Sequence, residues 1–138
     1  MRRAFGLIVG LLGAVVGGVA MADTAPYDGA WSVTLDCPRS DDGALPFSYA
    51  FTAEVKDGVL HGEHGQTGEP GWLALDGRIQ PDGAADLDAR GITGVAAYDV
   101  EGATRGVPYR HPVTAHFAAT HGAGTWTTTR VCTFSFER

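Results

Sequence analysis

The sequence is poor in basic residues, and this scarcity excludes several classes of binding partner. The chain carries 10 lysines and arginines against 16 aspartates and glutamates, for a formal net charge of −6. Proteins that bind nucleic acid or anionic membranes take much of their affinity from basic patches. We therefore expect no nucleic acid and no membrane surface among the partners of the folded protein.

Cysteine is also scarce, since the chain has only Cys37 and Cys132. Neither cysteine has a histidine close by in the sequence, which disfavours a metal site built on the two thiols. In an oxidising compartment two such thiols normally form a disulfide. A cross-link between residues so far apart stabilises a fold by on the order of 4 kcal/mol. The sequence therefore predicts a Cys37–Cys132 disulfide.

The N-terminus has the three-part layout of a secretory signal peptide. Two arginines precede an apolar run over residues 4–19, and small residues then lead to a cleavage site expected before Asp23. No stop-transfer segment follows the apolar run, which disfavours the alternative of a retained membrane anchor. We expect residues 1–22 to be removed and residues 23–138 to form a single domain, periplasmic or secreted.

Helical periodicity is absent beyond the signal peptide, and alternation of apolar and polar residues takes its place. Such alternation is typical of strands with one buried face. It recurs in short segments separated by turns, which predicts eight antiparallel strands in up-and-down order. The predicted strands are 31–37, 47–56, 59–64, 73–79, 85–90, 95–100, 113–117 and 126–136. The strand at 95–100 has the weakest pattern, so segment 95–108 remains open between strand and loop.

Two histidines in the segment VLHGEHG, His61 and His64, raise the question of a metal site. The preceding Asp57-Gly58 favours a two-residue hairpin turn, which places Val55 opposite Leu60. Successive strand residues point to opposite faces of a sheet, so the two rings are predicted to lie on opposite faces. We therefore expect His61 in solvent, His64 inside, and no bound metal.

The first and last strands are predicted to pair with each other. If Cys37 lies opposite Cys132 in an antiparallel pair, then Leu35 faces Phe134 and the two strands share an apolar ladder. Pairing of the terminal strands closes an up-and-down barrel and removes its open edges. An all-β barrel closed in this way is the preferred fold class, and a β-sandwich is the alternative.

The ends of these two strands carry a short motif that resembles the calycins. Gly29-Ala30-Trp31 begins the first strand and Arg138 ends the last. In lipocalins and avidin-type relatives a Gly-x-Trp tryptophan plugs the closed end of an eight-stranded barrel, and a basic residue packs over it. The resemblance implies a structural role for Trp31 and Arg138. Because the other lipocalin motifs and the polar ligand residues of avidin are lacking, it implies no particular ligand and no cofactor.

Strand parity places a group of large side chains inside the barrel at its open end: Phe47, Tyr49, His64, Trp126 and Arg130. A buried arginine is rare unless it is paired. Arg130 is therefore expected either to have a structural partner, such as Tyr49, Asp36 or a loop carbonyl, or to contact a ligand. Ligand sites combine apolar walls with few polar groups, so we predict that a small anionic or aromatic molecule binds here. Small interior residues either leave room for it or simply fit a narrow barrel whose interior is filled by alternating large and small side chains: Gly62, Gly77, Ala85, Ala89 and Ala115.

The predicted strand order also assigns the connections to the two ends of the barrel. The open end is expected to carry segments 38–46, 66–71, 91–94 and 120–124, whereas the turns at 57–58 and 81–83 and the 101–108 connection lie beside Trp31. Trp72 is predicted to point outward at the open rim, where an aromatic residue is a candidate partner contact. The alternative function is accordingly a periplasmic protein-interaction or inhibitor module that uses these loops.

No catalytic residues are predicted. No serine is expected to face inward beside His64, and the carboxylates of the strands are predicted to point outward. Nucleophilic catalysis requires a nucleophile beside a base, and general acid–base catalysis often uses a pair of carboxylates. We therefore expect a protein that is not an enzyme.

Overall fold

The structure of the protein is a computed structural model that describes Gly13 and residues 25–138. The predicted signal peptide, residues 1–22, lies outside the described residues except for Gly13. Within the described part of the chain, no helix is long and apolar enough to span a membrane.

Eight antiparallel strands form a closed barrel in up-and-down order, which confirms the predicted fold class. Each strand pairs with the next one in the chain, and the eighth pairs with the first. The strands are β1 Gly29–Cys37, β2 Phe47–Lys56, β3 Val59–His64, β4 Leu73–Ile79, β5 Ala84–Ile92, β6 Pro108–Phe117, β7 His121–Thr127 and β8 Val131–Glu137.

The contact between β1 and β8 has the predicted register. Leu35 lies opposite Phe134 and Val33 lies opposite Phe136. The predicted disulfide between Cys37 and Cys132 joins the same two strands near the open end of the barrel, across a sequence separation of 95. The barrel is thus closed by backbone hydrogen bonds and by a covalent bond at the same place.

The β2–β3 hairpin also has the predicted register. Val55 pairs with Leu60 across the turn at Asp57 and Gly58. His61 consequently lies on the outer wall, where its ring contacts Asp76, and His64 lies half-buried on the inner wall.

The structure settles the segment that was left open between strand and loop and corrects one predicted strand. Residues 95–100 form no strand; a 3₁₀ helix, Ala96–Tyr98, lies there within the long connection between β5 and β6. The predicted strand at 126–136 is instead two strands, β7 and β8, separated by a turn at 128–130. Trp126 pairs with Cys132 across this turn. Trp126 and Cys132 are an even number of positions apart, so both point inward whether the segment is one continuous strand or a hairpin.

Because of this correction, two connections lie at the opposite end of the barrel from the one that was predicted. Segment 101–108 belongs to the open end, because β5 ends there and β6 starts there. The turn between β6 and β7, at 118–120, lies at the closed end beside Arg138, whose backbone N–H donates to the carbonyl of Thr120. The error does not alter the strand count, since one strand was lost and one was gained.

The closed half of the barrel is filled by a compact aromatic plug. Trp31 is fully buried, and its Nε1 donates to the carbonyl of Tyr27 at 2.8 Å. Phe117 meets the indole edge-on at a centroid distance of 5.3 Å. The guanidinium of Arg138 lies 4.6 Å from the centre of the indole ring and donates to three backbone carbonyls, those of Pro26, Asp28 and Ala119.

Two of the predicted small interior residues, Gly62 and Gly77, allow close packing of the barrel. A Cβ atom at Gly62 would lie 2.8 Å from the Cβ of Ala53, and one at Gly77 would lie 2.7 Å from Leu87. Protein interiors are packed about as densely as organic crystals, so these glycines match large neighbours to a narrow barrel. Ala85 and Ala115, by contrast, line a cavity of about 200 Å³ that also includes outward residues such as Arg78 and Asp86.

Loss of the disulfide should destabilise the barrel strongly. In the variant Cys37→Ala/Cys132→Ala we expect the free energy of unfolding to fall by about 4 kcal/mol, because the unfolded chain is no longer constrained over this sequence separation. Urea unfolding followed by tryptophan fluorescence measures the change. The control Ser32→Ala/Thr133→Ala alters two exposed residues of the same strands and should change the free energy by no more than about 0.5 kcal/mol. Equal losses in both variants would contradict the expectation.

Candidate functional site

The open end of the barrel contains two adjoining cavities with volumes of about 450 and 210 Å³. Four residues line both of them: Phe47, Thr93, Asp99 and Tyr109. Pockets for small molecules typically measure about 300–1,000 Å³. The larger cavity alone falls in this range, and the smaller one extends it towards Trp126.

Strand alternation supplies most of the aromatic wall. Phe47 and Tyr49 are inward residues at the beginning of β2, and Tyr109 and His111 are inward residues at the beginning of β6. Trp126 lies inward near the end of β7 and is only 7% exposed. The aromatic rings thus come from strands on different sides of the barrel and converge above the packed closed half.

Two stacks of rings fix the orientation of this wall. The ring of His64 stacks on Tyr49 with a centroid distance of 3.8 Å and an angle of 11° between the planes. On the other side, His111 stacks between Tyr109, at 5.5 Å, and Trp126, at 4.8 Å. Burial lowers the pKa of His111, with a smaller opposing effect of Glu101. Near neutral pH His111 is therefore an uncharged ring within the stack.

A long connection between β5 and β6, here called the mouth loop (residues 93–107), crosses the open end. The loop starts and ends on one side of the barrel, yet the carbonyl of Ala97 accepts a 2.8 Å hydrogen bond from the backbone N–H of Leu45, which precedes β2. The backbone N–H of Glu101 donates to Asp42 at 2.6 Å. The loop thereby roofs the cavities and supplies Asp99 and Tyr98 to their walls.

Asp42 is the second anchor of the mouth loop. Its carboxylate also accepts hydrogen bonds from Ser40 and, at 3.1 Å, from Thr129 in the β7–β8 turn. The hydrogen bond from Ser40, followed by that from Glu101, holds the pKa of Asp42 below its usual value. One charged group therefore joins three segments of the open end.

Arg130 is engaged by backbone carbonyls. Its guanidinium donates to the carbonyls of Pro38 at 3.2 Å, Leu45 at 3.0 Å and Tyr98 at 2.6 Å, and it lies 5.0 Å from the ring centre of Phe47. Only 8% of the residue is exposed. Of the two roles considered from the sequence, the geometry matches the structural one with loop carbonyls as partners. Arg130 also lines the smaller cavity, with its polar atoms directed largely at the loops.

Two buried polar atoms of cavity-lining residues lack a hydrogen-bond partner among the described residues. They are Oδ2 of Asp99 and Nε1 of Trp126. The hydroxyls of Tyr49 and Tyr109 likewise make no hydrogen bond within residues 25–138. A buried polar group without a partner costs about 1–3 kcal/mol. Both atoms belong to residues that line the smaller cavity, and both are closed off from solvent.

Burial also affects the acidities of these groups. It raises the pKa of Asp99, and the positive charge of Arg130 opposes the shift. It raises the pKa of Tyr49, with a smaller effect of the Asp99 charge, and raises that of Tyr109. The two phenols are therefore un-ionised near neutral pH and can act as both donors and acceptors.

The structure brings four of the five predicted ligand-binding residues to the cavities: Phe47, Tyr49, Trp126 and Arg130. His64 lies behind Tyr49, with Nδ1 3.3 Å from the carbonyl of Gly71, and lines neither cavity.

Trp72, the predicted partner contact, is half-buried on the outer wall. Its Nε1 donates to Glu63 at 3.0 Å, and Arg90 lies 5.7 Å from its ring centre. The indole is therefore held against neighbouring side chains of the barrel.

Sequence reasoning missed Tyr109, His111 and Asp99. The first two were detectable in principle, because the inward parity of Val113 and Ala115 continues back to them through β6. Asp99 was not detectable in this way, because it lies on the mouth loop, where no strand alternation applies.

Replacement of Arg130 should loosen the mouth loop. In Arg130→Met the apolar stem remains but the three carbonyls lose their donor, so we expect the free energy of unfolding to fall by about 3 kcal/mol. We also expect faster hydrogen exchange of the Leu45 amide, which donates to the mouth loop. Urea unfolding and NMR-detected exchange measure these effects.

The control for this prediction is Arg110→Met. Arg110 pairs with Asp88 on the outer wall, where its side chain is 73% exposed, and such ion pairs contribute little. We expect almost no change in stability and unchanged exchange at Leu45. If Arg130→Met behaves like this control, the anchoring role of Arg130 is wrong.

Comparisons with known proteins give no assignment of this site. No protein-family model matches the chain, and no significant similarity was found to curated protein sequences or to solved structures.

Proposed function

We propose that this protein is an exported binding protein that holds a small aromatic molecule in the open end of its barrel. The observation that carries the proposal is the 450 Å³ cavity with its aromatic wall, joined to a second cavity that reaches Trp126. Apolar walls with a few polar groups are the usual composition of a small-molecule site. The proposed role is binding, with no catalytic step.

An anionic ligand, the other form expected from the sequence, has less support. Arg130 donates to three carbonyls, and the carboxyl group of Asp99 lines both cavities. Arg105 also lines the larger cavity but is exposed on the mouth loop, where solvent and salt screen its charge. Aromatic character is therefore the better-supported property of the ligand.

A calycin-like relationship and a periplasmic or secreted location belong to the same proposal. The contact between Trp31 and Arg138 at the closed end resembles the calycin arrangement. The disulfide fits an oxidising compartment, since such bonds are rare where thiols are kept reduced.

The proposal can be tested by NMR with the neutral aromatic probe 3-phenylpropan-1-ol. The chain has three tryptophans, so three indole N–H signals report on three different places. We expect the Trp126 signal to shift and saturate with a Kd of about 1 mM, a typical affinity for so small a ligand. The signals of Trp31 and Trp72, which donate to Tyr27 and Glu63, should stay unchanged.

A matched pair of variants separates the cavity from the outer wall. Trp126→Phe keeps an aromatic ring but removes the indole N–H, so binding to the variants is followed through the backbone amide signal of Tyr109, which lines both cavities. We expect about fivefold weaker binding, the equivalent of about 1 kcal/mol for one hydrogen bond. Trp72→Phe should bind the probe within twofold of the unmodified protein. Absence of any saturable shift at Trp126, or equal shifts of all three signals, would rule the proposed site out.

A second candidate function, a periplasmic protein-interaction or inhibitor module, is favoured by the exposed apolar side chains of the mouth loop. Val95, Tyr98 and Val107 are 62%, 39% and 42% exposed and lie within one loop, where Val95 and Tyr98 also line the larger cavity. Trp72 offers less free surface because Glu63 and Arg90 hold its indole.

Photo-crosslinking in the native compartment tests this candidate. A photoreactive residue at Val95 should capture one protein partner reproducibly if the mouth loop is an interface. The control position is Val59, which is similarly apolar and 41% exposed but lies at the closed end. Identical products from both positions would count against the interaction function.

A further inference from the structure

We infer that the molecule bound in the open end carries a positively charged amine, held by the carboxylate of Asp99 and by the surrounding aromatic rings. The inference rests on the proposed function, because it concerns the ligand of the same cavities. It adds the charge and the chemical class of that ligand.

Asp99 provides the first part of the argument. The residue lines both cavities, and its Oδ2 is buried without a hydrogen-bond partner among the described residues. Removing a carboxylate from water is costly unless a donor or a counter-charge replaces the lost solvation. A protonated amine supplies both in one group. Burial raises the pKa of Asp99 by more than the positive charge of Arg130 lowers it.

The aromatic rings provide the second part. Phe47 and Tyr109 line both cavities together with Asp99, and Tyr49 and Tyr98 complete the wall of the larger one. The faces of such rings attract cations that lie within about 6 Å of the ring centre. The hydroxyls of Tyr49 and Tyr109 add acceptors for ammonium protons, since they make no hydrogen bond within residues 25–138.

The cations already present at this end do not take the place of the ligand. Arg130 lies over Phe47, but its donors point to the carbonyls of Pro38, Leu45 and Tyr98. Among the described residues, no basic side chain lies within 4 Å of the Asp99 carboxylate. The cavities therefore present an acidic group without a close counter-charge, surrounded by rings that favour a cation.

Three probes of nearly equal size and different charge test the inference: 3-phenylpropylamine, 3-phenylpropan-1-ol and 3-phenylpropanoate. Binding is measured at pH 7 through the indole N–H signal of Trp126. We expect the amine to bind at least tenfold more tightly than the alcohol, and the acid to bind more weakly than the alcohol. In Asp99→Asn the ratio of the amine affinity to the alcohol affinity should fall from at least tenfold to about twofold or less.

Asp41→Asn is the matched control, because Asp41 is an exposed acid on the 38–46 loop at the same end and lines neither cavity. It should leave the preference for the amine within twofold. If the alcohol binds but the amine binds no better, or if Asp99→Asn keeps the preference, the inference is overturned and the proposed function stands. If none of the three probes moves the Trp126 signal, the proposed function fails and the inference fails with it.

Discussion

Closure of the sheet by the pairing of β8 with β1 is the constraint on which the other features of this structure depend. The pairing satisfies the hydrogen bonds of the two terminal strands, which would otherwise be open edges. It also assigns every inward residue to a single shared interior. The Cys37–Cys132 bond reinforces this contact near the open end, where the backbone pairs of β1 and β8 stop at Asp36 and Thr133. The cross-link thus holds the barrel together at the end that has the least packed core.

The interior of a closed barrel this narrow can be densely packed only where small residues lie next to large ones. The interior of the closed half is occupied by Trp31, Phe117 and Phe136 and by glycines that accommodate their neighbours. The open half has rings of the same kind, but they are partly exposed and line cavities. The open half is less densely packed because the mouth loop crosses above the barrel interior, and its side chains do not fill that interior.

The strand alternation was sufficient to predict the fold, because a parity pattern records which residues share a face. The alternation could not reveal where a strand ends when the residues on both sides of a turn keep the same inward and outward alternation. This is the case between Trp126 and Cys132. Proline within a sheet is usually found at an edge, a strand start or a bulge. Pro112 lies within β6, opposite Asp88 of β5, at a position that the pairing with β7 does not reach because it begins at Thr114. The contacts of the mouth loop depend on tertiary structure and have no periodic signal.

The two ends of the barrel use the same pair of residue types in different ways. At the closed end Trp31 has its N–H bonded to Tyr27, and Arg138 covers the ring while donating to three carbonyls. At the open end Arg130 also donates to three carbonyls, but Trp126 keeps its N–H without a partner among the described residues. A purely structural plug would gain stability by satisfying that group. The two ends of the barrel therefore differ in how completely their buried polar atoms are satisfied: the closed end bonds its indole N–H, and the open end leaves this N–H and the Oδ2 atom of Asp99 without a partner among the described residues.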